Sequence, residues 1–547
     1  METKLISSLE KVFADEKLTV PSFLEGTMLK NELFSFQLAY KSTRPLGEAV
    51  KVHVKSPLAP WVRIYKVGLI PVELPVRWNH DENVLRTTPG LYPDLLEPIQ
   101  DGTIPILPCQ WRSLWITVRP EGNIRPGTYP VEIKLKASSG SVLSKDVFHL
   151  EVIDLNLPPQ RLIHTEWLHT DCIATWYRTP VFSPEHWRRL EQYIKKAVDH
   201  GINMILTPLF TPPLDTAVGG ERPTVQLVDV EKNGDSYRFG FNKLHQWVEM
   251  CNRLGIEYFE FSHLFTQWGA AHAPKIMALV DGKLQQIFGW ETDAASFEYK
   301  DFLDQFLPQL VKFITEHGLK ERCYFHISDE PSLHDLAAYK SASEIMGKHL
   351  ADFPIMDALS NYEFYETGLV KNPIPASDHI EPFLEHEVPN LWTYYCSAQE
   401  RHVSQRFFSM PSARNRILGL QLYKFNIVGF LHWGFNFYYS QYSKYPIDPF
   451  RVTDGGYWVP AGDTFLVYPG ADGPLPSIRL KVLYEGLQDL QALQLLEQYI
   501  GRDQVLTLLE EDLSTPLTFR EYPTDAEWLL AKRQQINYKL ARFATYS

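Results

Sequence analysis

Cysteine is scarce in this 547-residue chain: there are five, far apart, with no C-x-x-C pair. So sparse and odd a set argues against a disulfide framework and against a zinc cluster. No Lys/Arg-rich block occurs, and the formal net charge is −13. An acidic surface repels phosphate backbones, so no nucleic-acid partner is expected. No apolar run is long enough to cross a bilayer, which sets membrane insertion aside. The opening METKLISSLEKVFADEKL lacks a basic segment followed by a long apolar run. It does not read as a signal peptide, and a cytoplasmic location is the expectation. H-E-x-x-H is absent, as are the acid spacing of a calcium loop and the Gly-Lys pattern of a phosphate loop. Asp463, in GDTFLVYPG, therefore reads as part of a structural turn, with Tyr468 leaning toward a pocket. Neither a metal nor an organic cofactor is implied.

Apolar residues are plentiful at 44%, enough for sizeable cores, and the length suggests two or more domains. Aromatics reach 13%, a load that suits ring stacking against sugars as well as large cores. Up to about residue 157 the pattern is all-β. ELFSFQLAYKS, VKVHVKS, SLWITVRP, YPVEIKLKA and VFHLEVIDL are short alternating runs separated by turn signals. In YPVEIKLKA, Val131, Ile133 and Leu135 face one way and Glu132, Lys134 and Lys136 the other, a strand with one wet face. Such spacing predicts a β-sandwich over 1–157, closed by a proline-stiffened linker, LNLPPQR.

From 158 onward strands alternate with helices. Eight strand candidates are RLIHTEWLH, INMILTP, IEYFEFS, CYFHIS, FPIMDAL, PIPASDHI, LWTYYC and NIVGFLHW. The helix SPEHWRRLEQYIKKAVDHG has Ser183 as cap, Pro184 in its first turn and Gly201 at its end. SIRLKVLYEGLQDLQALQLLEQYIG carries Leu480, Leu483, Leu487 and Leu490 on one side. A tail helix follows, with Thr524 and Glu527 placed as a capping box. The fold class is thus multidomain β plus α/β: an N-terminal β-sandwich, then a (β/α)8 TIM-type barrel with a C-terminal helical extension over 158–547.

In such a barrel the active site lies at the C-terminal ends of the strands. CYFHIS runs straight into Ser328, Asp329, Glu330 and Pro331, which places two adjacent carboxylates there. Pro331 should hold Glu330 extended. S-D-E-P also reads as a helix start, with Ser or Asp as the cap. Two neighbouring acids do not easily reach both faces of one anomeric carbon, as ordinary glycosidases require. They do suit a substrate-assisted reaction, in which the sugar's own 2-acetamido oxygen attacks from below. One acid then serves the leaving oxygen, and the other holds the acetamido N–H.

The sequence resembles glycoside hydrolase family 123, the β-N-acetylgalactosaminidase-like family. HISDEP, FSHLFTQWGAAHAPKI, GFLHWGFNFYYS and GDTFLVYPGADGPLPSIRLKVLYEGLQDLQAL carry the resemblance, which covers most of the chain. It implies retaining, substrate-assisted removal of terminal β-linked N-acetylgalactosamine or N-acetylhexosamine. Asp329 would orient the acetamido group, and Glu330 would be the general acid/base with a raised pKa.

Other strand ends supply the expected sugar contacts. The first offers Glu166, Trp167 and His169. His263 and Trp268 follow the third strand, with Gly269 making room for a close approach or a sharp turn, and Asn361 follows the fifth. Tyr394 and Tyr395 are both candidates for the hydroxyl that donates to the acetamido oxygen. His432, Trp433 and Asn436 end the eighth strand, Trp433 as a floor under the pyranose ring. The expected partner is a small carbohydrate or glycoconjugate, and a homo-oligomer stays open. The sandwich is expected to pack against the barrel. Rival readings are a glycosidase for a non-acetamido sugar, with Glu166 or Glu260 as nucleophile, a non-catalytic carbohydrate-binding protein, and a metal-dependent hydrolase.

Overall fold

The computed structural model describes residues 1–99, 101–122 and 124–544. The first 153 residues form two five-stranded sheets packed face to face. Phe36 of one sheet stacks on Phe148 of the other, ring centroids 4.1 Å apart. Strand Gly127–Ala137 alternates as the sequence predicts, with Val131, Ile133 and Leu135 buried. Strand Phe34–Lys41 has no wet face and is buried along its whole middle. One side meets the other sheet, and the opposite side of its sheet meets the α/β part: Trp115 and Tyr92 belong to the same apolar core as the helices that follow.

The α/β part contains a six-stranded sheet and a two-stranded sheet. The six strands are Cys323–Tyr324, Tyr258–Phe261, Met204–Thr207, Ile163–Glu166, Gly429–His432 and Trp392–Tyr394, in that spatial order and all parallel. Met356–Leu359 pairs in parallel with Asn372–Pro375. Single parallel bridges join this pair to the ends of the larger sheet, Phe325 to Ile355 and Ala376 to Tyr394. Met204, Leu206, Met356, Ala358, Ile374, Trp392, Tyr394 and Leu431 pack into one apolar cluster enclosed by these strands. Side chains one residue out of phase point toward the surrounding helices.

Helix Pro184–Val198 starts as the sequence indicates, with Ser183 Oγ accepting from His186 N–H at 3.3 Å. Gly201 follows with φ +78°, and a Cβ there would lie 2.8 Å from Gln160 Oε1. Helix Ile478–Ile500 departs from the one-sided reading: Arg479, Lys481, Glu485, Gln488 and Asp489 are buried as well as the leucines. The helix lies between sandwich and α/β part, so its polar side needs partners inside the protein. Arg479 pairs with Asp94 of the sandwich at 2.9 Å, and Arg416 holds Asp489 at 2.7 Å and Glu485 at 3.0 Å. Tyr468 is fastened here too: its hydroxyl donates to Asp94 at 2.6 Å instead of leaning over a pocket. At the last helix, Ala526–Ala544, Asp525 Oδ1 accepts from Glu527 N–H at 2.9 Å; the Thr524–Glu527 box does not form. No helix among the described residues is long and apolar enough to cross a membrane.

Candidate active site

The fourth strand is shorter than the sequence suggests. Ile327 N–H turns to the Asp357 carboxylate at 3.2 Å, so the ladder stops after Phe325. Ser328 Oγ donates to Thr266 O at 2.9 Å and caps no helix. The helical turn begins four residues later, where Ser332 N–H donates to Asp335 at 3.1 Å. Asp329 and Glu330 are thereby released from any capping role. Nor is Glu330 extended: its φ is +44°. A non-glycine residue in this left-handed region costs on the order of 1–3 kcal/mol and has to be held by its surroundings.

Those surroundings are specific. Trp268 N–H donates to Asp329 O at 2.9 Å, docking the loop after the third strand onto the pair. Gly269 permits this approach, since a Cβ there would sit 2.5 Å from Asp335 Cγ. Tyr394 Oη donates to Glu330 Oε1 at 2.6 Å. Both carboxyls are held above the ordinary carboxylate range. Lost hydration is the first cause for each; for Asp329 the neighbouring Glu330 charge adds to it, and for Glu330 the tyrosine bond partly offsets it.

The pair opens into a cavity lined by Trp167, Trp268, Trp433, Trp458, Tyr394 and Asp215, with Leu214, Gln267, Ala358, Cys396, Ser397 and Leu431 completing the wall. Among the described residues no Lys or Arg lines it. Trp433 Nε1 donates to Asp463 Oδ2 at 2.9 Å, which fixes the ring and gives the buried Asp463 its place. Trp433 also packs against Trp458, centroids 5.6 Å apart.

Of the residues singled out in the sequence, Asp329, Glu330, Trp167, Trp268, Tyr394 and Trp433 meet at this cavity. The others do not line it. Glu166 points outward from its strand, where Arg406 grips it at 2.6 and 2.8 Å. Burial alone would raise its pKa, but the Arg406 charge and bonds outweigh that and hold it at about 2. His432 and Tyr395 share the outward phase and pack ring to ring, centroids 5.5 Å apart. His169 is buried with Nε2 against Trp433 O at 2.8 Å, and Asn436 bonds the His169 backbone. Asn361 Oδ1 accepts from Glu363 N–H at 3.0 Å just ahead of a short helical turn.

Glu260 faces inward but lies below the cavity. It accepts from Trp167 Nε1 at 2.7 Å, and His326 Nε2 bonds it at 2.6 Å. His263 is buried, stacked on His326 with centroids 4.3 Å apart. His263, His326 and Asp357 bring possible metal ligands within 4.8 Å of one another. Burial lowers the pKa of His326, but its bonds to Asp357 and Glu260 outweigh this and raise it to about 10. A metal there would have to displace a proton that Asp357 and Glu260 hold on His326.

Asp215 is the important residue that sequence reading missed. Its φ is +41°. Its N–H donates to Gln267 at 2.5 Å, Tyr442 N–H donates to its Oδ2 at 3.2 Å, and Ser443 Oγ donates to its C=O at 2.6 Å. Burial pushes its pKa up to about 7, against the pull of Arg222. Arg222 itself is bound by Asp171 at 2.7 and 2.8 Å. The available signal was position: Asp215 lies in the proline-containing loop after the second strand, at the same end as SDEP.

Residues 167–496 match the family description "Glycoside hydrolase 123, catalytic domain". The chain belongs to glycoside hydrolase family 123. Among solved structures it is similar to a family 123 glycoside hydrolase from Clostridium perfringens, described for glycolipid glycan hydrolysis. The two are 16% identical, with a TM-score of 0.75 over 100% of this chain and 99% of that one, a likeness of fold over the whole length. A family 5 mannosidase from Rhizomucor miehei reaches a TM-score of only 0.31 at 12% identity, over 60% of this chain and 93% of that one. No curated protein matches the chain.

Proposed function

We propose that this family 123 glycosidase removes terminal β-linked N-acetylhexosamine, with galacto preference, by a retaining, substrate-assisted mechanism. The observation that carries the reading is the make-up of the cavity: one adjacent Asp–Glu pair, a tyrosine on the Glu, and a single further acid, Asp215. In the first step the acetamido oxygen bonds to C1 while the glycosidic C1–O bond breaks. The Glu330 proton passes to the leaving oxygen. The Asp329 carboxylate accepts the acetamido N–H and balances the positive charge of the oxazoline-like intermediate. Water then attacks C1, Glu330 takes its proton, and the C1–oxygen bond of the intermediate breaks to restore the acetamide. The Tyr394 hydroxyl, which donates to Glu330 in the free protein, is proposed to turn its one proton to the acetamido oxygen when substrate is bound. Trp433, braced by Asp463, is the proposed floor for the pyranose ring.

A covalent mechanism needs another carboxylate on the cavity wall. Glu166 and Glu260 are each committed to buried bonds. Asp215 is available by position, but one of its oxygens already accepts from Tyr442 N–H at 3.2 Å. A hydrogen-bonding role toward a sugar hydroxyl suits it better.

For the scaffold, we propose a (β/α)8 barrel completed by the bridges Phe325–Ile355 and Ala376–Tyr394, and a domain division between 157 and 158. The division is supported by the last sandwich strand ending at Ile153 and the first parallel strand starting at Ile163.

The test is turnover of nitrophenyl β-GalNAc, β-GlcNAc and β-galactoside, with Glu330→Gln alongside. Cleavage confined to acetamido sugars and lowered in the variant is expected. Equal cleavage of the plain galactoside would overturn substrate assistance.

A further inference from the structure

The loop Glu73 to Leu85 belongs to the sandwich, yet it is fastened to the wall of the cavity. Arg77 donates to Ser397 O at 3.0 Å and to Trp458 O at 3.3 Å, and both of those residues line the cavity. Just beyond Trp78, His80 N–H donates back to Arg77 O at 3.3 Å. Asp81 binds Arg414 at 2.8 Å, and Leu85 N–H donates to Ser409 O at 2.7 Å. Between the anchored Arg77 and Asp81 stands Trp78, 94% exposed.

An indole held open to water on a backbone pinned from both sides is unusual. Trp is highly buried on average, and a collapsed loop would normally cover it. Here the loop has no freedom to fold over the ring.

More rings are exposed on the same side. Tyr457, next to Trp458, is 71% exposed. The Tyr445 hydroxyl lies against Gly456, and its ring is half in solvent. Trp268 reaches out from the cavity wall itself, braced edge-on by Tyr442 at 5.8 Å.

We infer that Trp78, together with Tyr457 and Tyr445, forms a platform at the cavity mouth that stacks the neutral sugar units on the leaving-group side of the scissile bond. The inference rests on the glycosidase reading and extends it: the substrate is an oligosaccharide chain, and the sandwich takes part in choosing it. Flat aromatic faces suit the C–H faces of pyranose rings. Continuity with the cavity through Ser397 and Trp458 favours the sugar units over a protein partner.

The test compares kcat/KM for a tetrasaccharide capped by β-GalNAc with kcat/KM for nitrophenyl β-GalNAc. In Trp78→Ala the ratio of the first to the second should fall at least about tenfold through KM, the loss of one aromatic anchor. Trp78→Phe should keep most of it. A ratio unchanged in Trp78→Ala overturns the platform, as does an equal loss on both substrates. If the wild type cleaves neither substrate, the hydrolase reading has failed, and the platform is judged separately by calorimetric binding of the same tetrasaccharide to wild type and Trp78→Ala. Weaker binding in the variant supports it, and equal or absent binding sinks it.

Discussion

Tyr394 Oη donates a 2.6 Å hydrogen bond to Glu330 Oε1, joining the seventh strand to the loop that follows the fourth. This bond favours the charged carboxylate and so works against the burial that raises the Glu330 pKa. Tyr394→Phe removes it, and the alkaline limb of the pH–rate profile should move to higher pH. The lost donor should also lower kcat on acetamido substrates by about 10²–10³, the usual loss for such a group. Tyr395→Phe, on the outward side of the strand, should stay within about twofold. A profile with the same limbs in wild type and Tyr394→Phe would contradict the assignment.

The two carboxyls should titrate as a pair. Both are raised, so kcat/KM should be bell-shaped, with limbs that belong to the pair and not to either residue alone. Activity should fall at high pH as the last proton of the pair leaves. Glu330→Gln should lower kcat by about 10²–10⁴ for alkyl leaving groups, and by less for nitrophenyl, which departs without full protonation. Asp329→Asn should abolish the acid limb. Measuring kcat against leaving-group pKa for both variants checks this.

Asp215→Asn separates a hydroxyl contact from a nucleophile. A lost contact should raise KM with kcat/KM down about tenfold, in the range of one charged hydrogen bond. Azide should not restore rate. Rescue by azide with formation of an inverted glycosyl azide would make Asp215 the nucleophile and remove the need for the acetamido group.

Arg406 is a matter of stability more than chemistry. Arg406→Met would strand the fully buried Glu166 charge, and a destabilisation of about 3–5 kcal/mol is expected for a broken buried pair. Because the folded Glu166 pKa is depressed to about 2, its contribution is complete above the unfolded value of 4.5 and fades as pH falls from there toward 2. Urea unfolding at pH 7 and pH 3 should show a wide gap between wild type and variant at pH 7 that narrows at pH 3.

Much of this was written in local pattern. Val131, Ile133 and Leu135 announced their buried face by period two, and Ser183 with Pro184 announced a helix start, because both signals depend only on near neighbours along the chain. HISDEP announced an acid pair just past a strand for the same reason. Local pattern did not decide that Glu330 takes φ +44° or that the fourth strand stops after Phe325. The competing acceptor for Ile327 N–H, Asp357, lies thirty residues away.

Facing was the other gap. Tyr394 and Tyr395 are chemically equivalent in sequence, as are Glu166 and Trp167 as strand-end candidates. Only strand register fixes which of each pair turns inward, and register is set by pairing partners far along the chain. Asp215 and Trp78 show the limit most plainly. Each sits in a loop with no periodic signal, and each acquires its place from contacts with residues more than fifty positions away. The sequence by itself determined the family, the two kinds of layer and the acid pair. The tertiary structure decided which side chains share the cavity, because shared space comes from long-range packing that no short stretch of chain encodes.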